Sequence, residues 1–498
     1  MTTHFKLILL FAVVPLYAAA QVAPPGDSLV LSLDSALSLL IANNPDIQQA
    51  KYEWLSKSEA ATAAYGDFEP RLVGRLNKEK GEHSDALYAE TKDEYKLGVE
   101  GKLPTGTSYN IGFDQVTYKH SDYTSEIYFG ATLKQPVLRN FLYWAPMNGV
   151  FQARQEEEVA FQAYRKSIAE IIEKFCTSYW DYYYALKVLE FETESVAVAE
   201  SISVDAEKQF KLGLLSAIDD EKTIAELSIR KSKQLDAKSN LRDEQSNFLL
   251  LLNDAGLLRN KRPLTIHPET KIDSVWAPDS LALLDSLKKI HPEILMQQAE
   301  VVRRKLVKDT HKSEMLPELN LTGSYGIRSR DDNANEAVAK FRSESRRDHV
   351  LSGGFEIEVP LFANHKERHL AAAENANVRG AEIRMQLLCN KIMEDNLVLE
   401  KRASEIMSQL IYEQTSVKYR KEELAEEFKK MRAGKSNYHE IFDIEEDLRE
   451  AEKKEIEVIR MTHLLQIKLD KSLGALLSRN RLEYRKEGEI YLREDLGI

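Results

Sequence analysis

The chain has 498 residues, with 68 Lys and Arg against 80 Asp and Glu, for a net charge of −12. That acidic balance argues against a nucleic-acid binder, which needs a basic face. Charged residues make up 30% and mean hydropathy is −0.42, so no stretch after residue 20 reads as a membrane-spanning helix, which needs roughly 20 apolar residues.

Residues 1–20 read as a signal peptide. Lys6 gives the positive start, Leu7 to Tyr17 an apolar core too short to span a bilayer, and Ala18-Ala19-Ala20 the small residues before a cut at Gln21. An uncleaved N-terminal anchor is the alternative. No Cys lies near the cut, so a lipidated form is not supported.

From Leu31 to Ala64 the pattern is helical, broken at Asn43-Asn44-Pro45. Asn44 suits a cap and Pro45 a first helical turn. Four alternating segments follow, around Leu72 to Leu76, Tyr95 to Val99, Tyr109 to Phe113 and Ile127 to Leu133. Period two marks half-buried strands. It also suits tilted membrane strands with lipid on one side and water on the other, although a soluble sheet alternates the same way. Leu103-Pro104-Thr105-Gly106 reads as a tight turn between the middle pair. The polar segments Asn77 to Asp93 and Tyr118 to Ser125 read as exposed loops.

A long helical hairpin runs from about Met147 to Leu252. Phe161, Tyr164, Ile168, Ile171, Phe175, Tyr179, Tyr182, Leu186 and Leu189 recur at steps of three and four. About 65 residues to its tip give roughly 100 Å at 1.5 Å per residue. So long a helix needs partners along its length. The aromatic run Tyr179 to Tyr184 reads as packing material. The hairpin turns at Gln209 to Asp220, around Gly213. Residues 256–280, with Pro263, Pro268 and Pro278, read as a linker. Then comes a helix from Ser280 to Met315, broken at Pro292. Strands follow around Leu319 to Tyr325 and Leu351 to Val359, either side of a charged loop from Arg328 to His349. A second hairpin, His365 to Ala433 and Tyr438 to Leu477, turns at Gly434. Residues 479–498 form a charged tail, read as loose.

The second half echoes the first. Asn44-Pro45-Asp46-Ile47 returns as His291-Pro292-Glu293-Ile294, and Glu69-Pro70-Arg71-Leu72 as Leu316-Pro317-Glu318-Leu319, both 247 residues on. Gln135-Pro136-Val137-Leu138 returns as Val359-Pro360-Leu361-Phe362 after 224, and the tip at Gly213, with Phe-Lys ahead of it, returns at Gly434 after 221. The chain is an internal duplication, repeat one at 21–255 and repeat two at 281–478. Repeat one carries a 23-residue insertion between Pro70 and Pro136 that adds the hairpin Tyr95 to Thr117.

On the Asn-Pro-Asp opening, the Leu-Pro before the first strand of repeat two, the two strand-end Pro motifs and the paired glycine tips followed by acids, the sequence resembles the TolC family of outer-membrane efflux and secretion proteins. The resemblance covers nearly the whole mature chain. It implies a mixed fold, mainly α with membrane β: long antiparallel helical hairpins forming an α-barrel tunnel, and strands contributed to a β-barrel shared by a homotrimer. Four strands per chain, hence about 12, are usual in the family; the insertion leaves open whether its hairpin joins the barrel. It further implies a periplasmic adaptor and an inner-membrane transporter as partners, with outer-membrane lipid around the barrel. The implied role is efflux or type I secretion, export across the periplasm and outer membrane, by a protein set in the outer membrane and extending into the periplasm. The cargo stays open.

Glu440 and Asp443 match the two acids that ring the family's entrance, and Asp219 matches an acid of the first tip. The family's closing tyrosine and arginine fall on Met431 and Ser436, which do not match; Arg432 and Lys435 lie close by as substitutes. Leu212, Gly213 and Leu214, with Ala433 and Gly434, are the tips expected to meet the adaptor. The alternative for each acid is a carboxylate that favours its own helix dipole.

No catalytic constellation is read. His365 and His369 lie four apart, but no Glu takes a zincin position, and a solvated helix start accounts for them. There is no Walker lysine loop, no dinucleotide fingerprint and no zinc-type Cys pair, so neither cofactor nor metal is expected. Cys176 and Cys389 are not equivalent in the two repeats and read as small hydrophobes. Charged runs such as Glu446 to Glu455 read as solvated helix faces. The competing function is a periplasmic coiled-coil scaffold or pump adaptor. It would share the signal and the helices, but would not need strand groups at the same point of two tandem copies.

Overall fold

The computed structural model describes residues 29–82, 89–119, 125–141, 144–260, 264–266, 284–343, 347–361, 364–479, 482–484 and 490–492. The signal peptide expected at 1–20 lies outside these.

The two helices α1 (Leu33–Asn43) and α2 (Pro45–Ala63) are separated by one residue. Asn44 accepts hydrogen bonds from the backbone N–H of Asp46 and Ile47 at 2.9 and 3.2 Å, and Pro45 opens α2, as the sequence led us to expect. Two long hairpins follow the same logic on a larger scale. The first is α3 (Asn148–Lys211) and α4 (Ala217–Leu252). The second is α9 (His365–Arg432) and α10 (Tyr438–Ser472). At 64 and 68 residues, α3 and α9 each span roughly 100 Å. Neither returning helix is that long. The remaining length is covered by the short partner: α2 packs on α3, and α7 (Pro292–Glu314) packs on α9.

The core lies where these helices meet. Tyr179, Tyr182, Phe175 and Phe248 are among its largest fully buried side chains. The Tyr182 and Phe248 rings stack at 5.9 Å, and Trp54 of α2 stacks on Tyr164 at 5.8 Å. The aromatic run is therefore packing material. Cys176 is buried and Cys389 half-buried, and both are free.

At the other end stands one antiparallel sheet of six strands, ordered β2-β3-β4-β5-β7-β8. These are β2 (Arg71–Glu82), β3 (Ala89–Lys102), β4 (Ser108–Lys119), β5 (Ser125–Pro136), β7 (Glu318–Asp331) and β8 (Asp348–Glu358). The inserted hairpin is β3–β4, and it sits inside the sheet. Its turn is the Leu103 to Gly106 segment, where Gly106 donates to the Leu103 carbonyl at 2.8 Å. The polar stretches read as loops are strand where they are described: β2 runs to Glu82, β3 starts at Ala89, β4 reaches Lys119 and β5 starts at Ser125. The hydrogen-bonded ladder continues past the apolar stretch of each strand, so composition misplaced those ends. The charged loop between β7 and β8 contains a short helix, α8 (Ala334–Arg342), whose Ala337 is buried against the sheet.

Backbone geometry repeats the duplication. Among the described residues seven have left-handed φ, and six form three pairs: Asn140 with Asn364, Gly213 with Gly434, and Asn253 with Gly474. The seventh, Gly106, belongs to the insertion.

Two readings are corrected. The linker at 256–280 contains the end of α5 (Ala255–Asn260) and a strand, β6 (Leu264–Ile266), which pairs in parallel with β1 (Leu29–Leu31). Its partner lies over 200 residues away, so no local pattern announced it, and Ile266 joins the main core. The tail read as loose carries a small hairpin, β9 (Leu482–Tyr484) with β10 (Ile490–Leu492), after the short helix α11 (Leu476–Arg479). No described helix is long and apolar enough to cross a membrane.

Candidate functional site at the helical hairpin tips

The two tips are built by the same chemistry. Gly213 (φ 72°) and Gly434 (φ 69°) take the left-handed conformation that Gly adopts without strain. Gly213 N–H donates to the Phe210 carbonyl and Leu214 N–H to that of Gln209, both at 2.9 Å. In repeat two, Gly434 N–H donates to Met431 and Lys435 N–H to Lys430, again at 2.9 Å. This is the Schellman closure of a helix C-terminus. Three residues after each glycine an N-cap restarts the chain as a helix: Ser216 accepts from Asp219 N–H at 3.2 Å, and Asn437 from Glu440 N–H at 3.0 Å.

The acids singled out from sequence lie on the first turns of the returning helices. The Ser216 hydroxyl donates to Asp219 at 2.7 Å and holds its carboxyl below the ordinary range, with Lys222 at 3.5 Å. Within one chain, Asp219 thus has a complete capping role. Glu440 and Asp443 are exposed, and Asp443 has only His439 nearby, at 3.8 Å. Arg432 and Lys435 are exposed and meet neither acid in an ion pair among the described residues. Leu212 and Leu214 are each 74% exposed at the end of the first tip, and Ala433 and Gly434 are exposed at the second.

The tips are tied together by contacts between helices that sequence reasoning did not pair, although Ile441 was legible as part of the apolar stripe of the returning helix. The Tyr438 hydroxyl donates to Asp205 at 3.1 Å, joining α10 to α3. Ala199, Ile202 and Ala206 of α3 pack with Tyr438, Ile441 and Phe442 of α10. Further from the tip lies a buried charge network. Glu445 has no exposed surface; it pairs with Arg230 of α4 and with Arg449 at 2.7 Å. Arg449 reaches Glu194 of α3 at 2.9 Å and Glu452 at 2.7 Å, and Lys421 of α9 reaches Glu452 at 2.9 Å. Four helices meet there through charge. The reading of Glu446 to Glu455 as a solvated face fails at Arg449 and Glu452, which are both buried. Arg449 and Glu452 pair with each other along α10, but Glu194 of α3 and Lys421 of α9 complete their pairing, and those partners are invisible to a one-helix pattern.

Far from the tips, His311 and Glu314 near the end of α7 converge on Glu367 at the start of α9. His311 Nδ1 lies 2.8 Å from Glu367 and 3.5 Å from Glu314. It is the one His and carboxylate cluster among the described residues with metal-like convergence, and its own ion pair accounts for it. His365 and His369, read as a solvated helix start, are exposed.

No family model and no curated protein matches the sequence. Solved structures do match. The outer-membrane channel OprN superimposes with a TM-score of 0.67 at 12% identity, over 89% of each chain. The outer membrane channel CmeC of Campylobacter jejuni gives 0.62 at 14%, over 89% of this chain and 85% of its own. The open state of the MtrE outer membrane channel of Neisseria gonorrhoeae gives 0.64 at 12%, over 89% of each. At such identities the likeness establishes the fold, and it is the fold the resemblance implied: tandem long helical hairpins carrying a shared sheet.

Proposed function

We propose that the chain is the subunit of an outer-membrane channel-tunnel that carries cargo delivered by an inner-membrane transporter and a periplasmic adaptor across the periplasm and out of the cell. The observation that carries this reading is the sheet's apolar face. Register puts Leu72, Leu97, Ile111, Phe129, Tyr325 and Leu351 on one side, and each is exposed by 46–82%. The opposite side presents Arg75, Glu100, Asn110, Thr132, Ser324 and Ser352. Apolar outside and polar inside is the pattern of a membrane barrel wall around water. One protomer leaves both sheet edges unpaired, which lipid forbids, so copies must share a barrel. The family resemblance makes that number three. The scaffold or adaptor alternative leaves the exposed apolar band without a purpose.

The tips are the tunnel entrance in this reading. Leu212, Gly213, Leu214, Ala433 and Gly434 meet the adaptor, while Asp219, Glu440, Asp443, Arg432 and Lys435 surround the opening. The test is fractionation of cells expressing the chain. A heat-modifiable oligomer in the outer membrane that conducts ions in planar bilayers supports the reading; a soluble periplasmic monomer overturns it.

A further inference from the structure

We infer that the barrel has 18 strands, with the inserted hairpin in its wall and a seam formed by β2 of one copy against β8 of the next. The inference rests on the channel reading above. Three observations carry it.

The first is continuity. β3 and β4 are hydrogen-bonded along their whole length between β2 and β5, and their Leu97 and Ile111 extend the same apolar band. A hairpin folded outside the wall would give up both ladders and expose that band to water. The second is parity. Six antiparallel strands leave β2 and β8 running in opposite directions, so the seam between copies continues the antiparallel pattern. The third is the edges themselves. Leu76 on β2 and Leu351 on β8 are 81% and 82% exposed, against 46% for Phe129 on an inner strand, because each edge lacks one neighbour.

Charge sets the seam's register. On the polar face, β2 begins with Arg71 and β8 ends with Glu358, both at the helix-proximal end of the sheet. Neither has an ion-pair partner among the described residues, and both are exposed. Antiparallel pairing with level ends brings Arg71 of one copy to Glu358 of the next, an opposite-charge cross-strand pair. Barrel diameter grows roughly linearly with strand number, so three six-stranded sheets enclose a lumen about 1.5 times as wide as a 12-stranded barrel.

The test is disulfide trapping in outer-membrane fractions, with Cys176 and Cys389 replaced by Ala. Arg71→Cys with Glu358→Cys, or the neighbouring Val73→Cys with Glu356→Cys, is expected to give covalent dimers and trimers on oxidation. Arg71→Cys with Glu100→Cys, directly opposite within one chain, should give only an internal bridge. A membrane-resident oligomer without the ladder overturns the seam. An internal bridge between Val73→Cys and Thr132→Cys would put β2 beside β5 and the hairpin outside the wall, which also overturns it. Absence of the protein from the outer membrane would instead defeat the channel reading, so the two failures are distinct.

Discussion

The Tyr438 hydroxyl and the Asp205 carboxylate, 3.1 Å apart, join the returning helix of the second hairpin to the outgoing helix of the first. Burial, then that hydrogen bond, pushes the phenol up to about 12, so it remains a neutral donor at physiological pH. The two tips therefore cannot splay independently while this bond and the Ile441 and Phe442 contacts persist. In the channel reading, opening the entrance starts by breaking it.

Tyr438→Phe keeps the ring packed and removes the bond. The loss is about 1 kcal/mol, since a net hydrogen bond is worth 0.5–1.5. In the channel reading, single-channel recording should show a higher open probability, with oligomer yield unchanged. Unaltered gating would mean that the bond is incidental.

The buried network makes a sharper stability prediction. Glu445→Leu leaves Arg230 and Arg449 buried without their shared carboxylate, at roughly 3–5 kcal/mol, as when one partner of a buried pair is removed. Adding Arg230→Met removes one stranded charge and should restore part of the loss. Arg449 keeps Glu194 and Glu452 in both variants. Denaturation of purified oligomers measures the coupling; strictly additive effects would show that the pair is not a unit.

A pH dependence follows from His463. Its ring stacks on Trp180 at 3.7 Å, and burial lowers its pKa from 6.5 to about 4. The unfolded chain then binds the proton more tightly than the folded one. Stability is full above pH 6.5 and falls as pH drops toward 4, by up to ~3 kcal/mol per chain. Trp fluorescence melts should shift down across that window, and His463→Phe should flatten the slope. An equal slope in the variant would assign the effect to other groups.

Both hairpins, the six strands and the duplication were legible because they rest on local periodicity and on motifs repeated at fixed offsets. The capping of Asn44 and both glycine tips was legible for the same reason: a cap is a short-range arrangement. β6 was not, because Leu264 to Ile266 needs a partner from Leu29 to Leu31. Nor were Asp205, Arg230 and Glu445, whose roles exist only between helices. Asp219 was read with two meanings. Its bond to Ser216 supplies the capping one in full, so any role at the entrance is additional.

The tip glycines can be tested apart from folding. A Cβ at Gly213 or Gly434 meets nothing within 4 Å, so the penalty of substitution is the left-handed backbone alone, on the order of 1–2 kcal/mol. In the channel reading, Gly213→Val or Gly434→Val should leave oligomers in the membrane while abolishing export, because the turn shape proposed to meet the adaptor changes. Normal export would argue that the turns are mere connections.

The entrance ring gives the last prediction. Glu440 and Asp443 lie three residues apart on α10, so they project from one face about one turn apart. Among the described residues neither forms an ion pair with Lys or Arg; His439 lies 3.8 Å from Asp443, and the Glu440 charge acts on Lys430 of α9. Their counterparts, if threefold symmetry gathers them, are one another. Six carboxylates at a narrow opening focus a negative potential that attracts cations and binds multivalent ones tightly. The expected resting channel is cation-selective and blocked by multivalent cations. Glu440→Gln with Asp443→Asn should shift reversal potentials toward zero and abolish the block, while the cap at Asn437 holds the helix in place. If bilayer recordings of that double variant match the parent in selectivity and block, the two acids serve only their helix, and the entrance lies elsewhere.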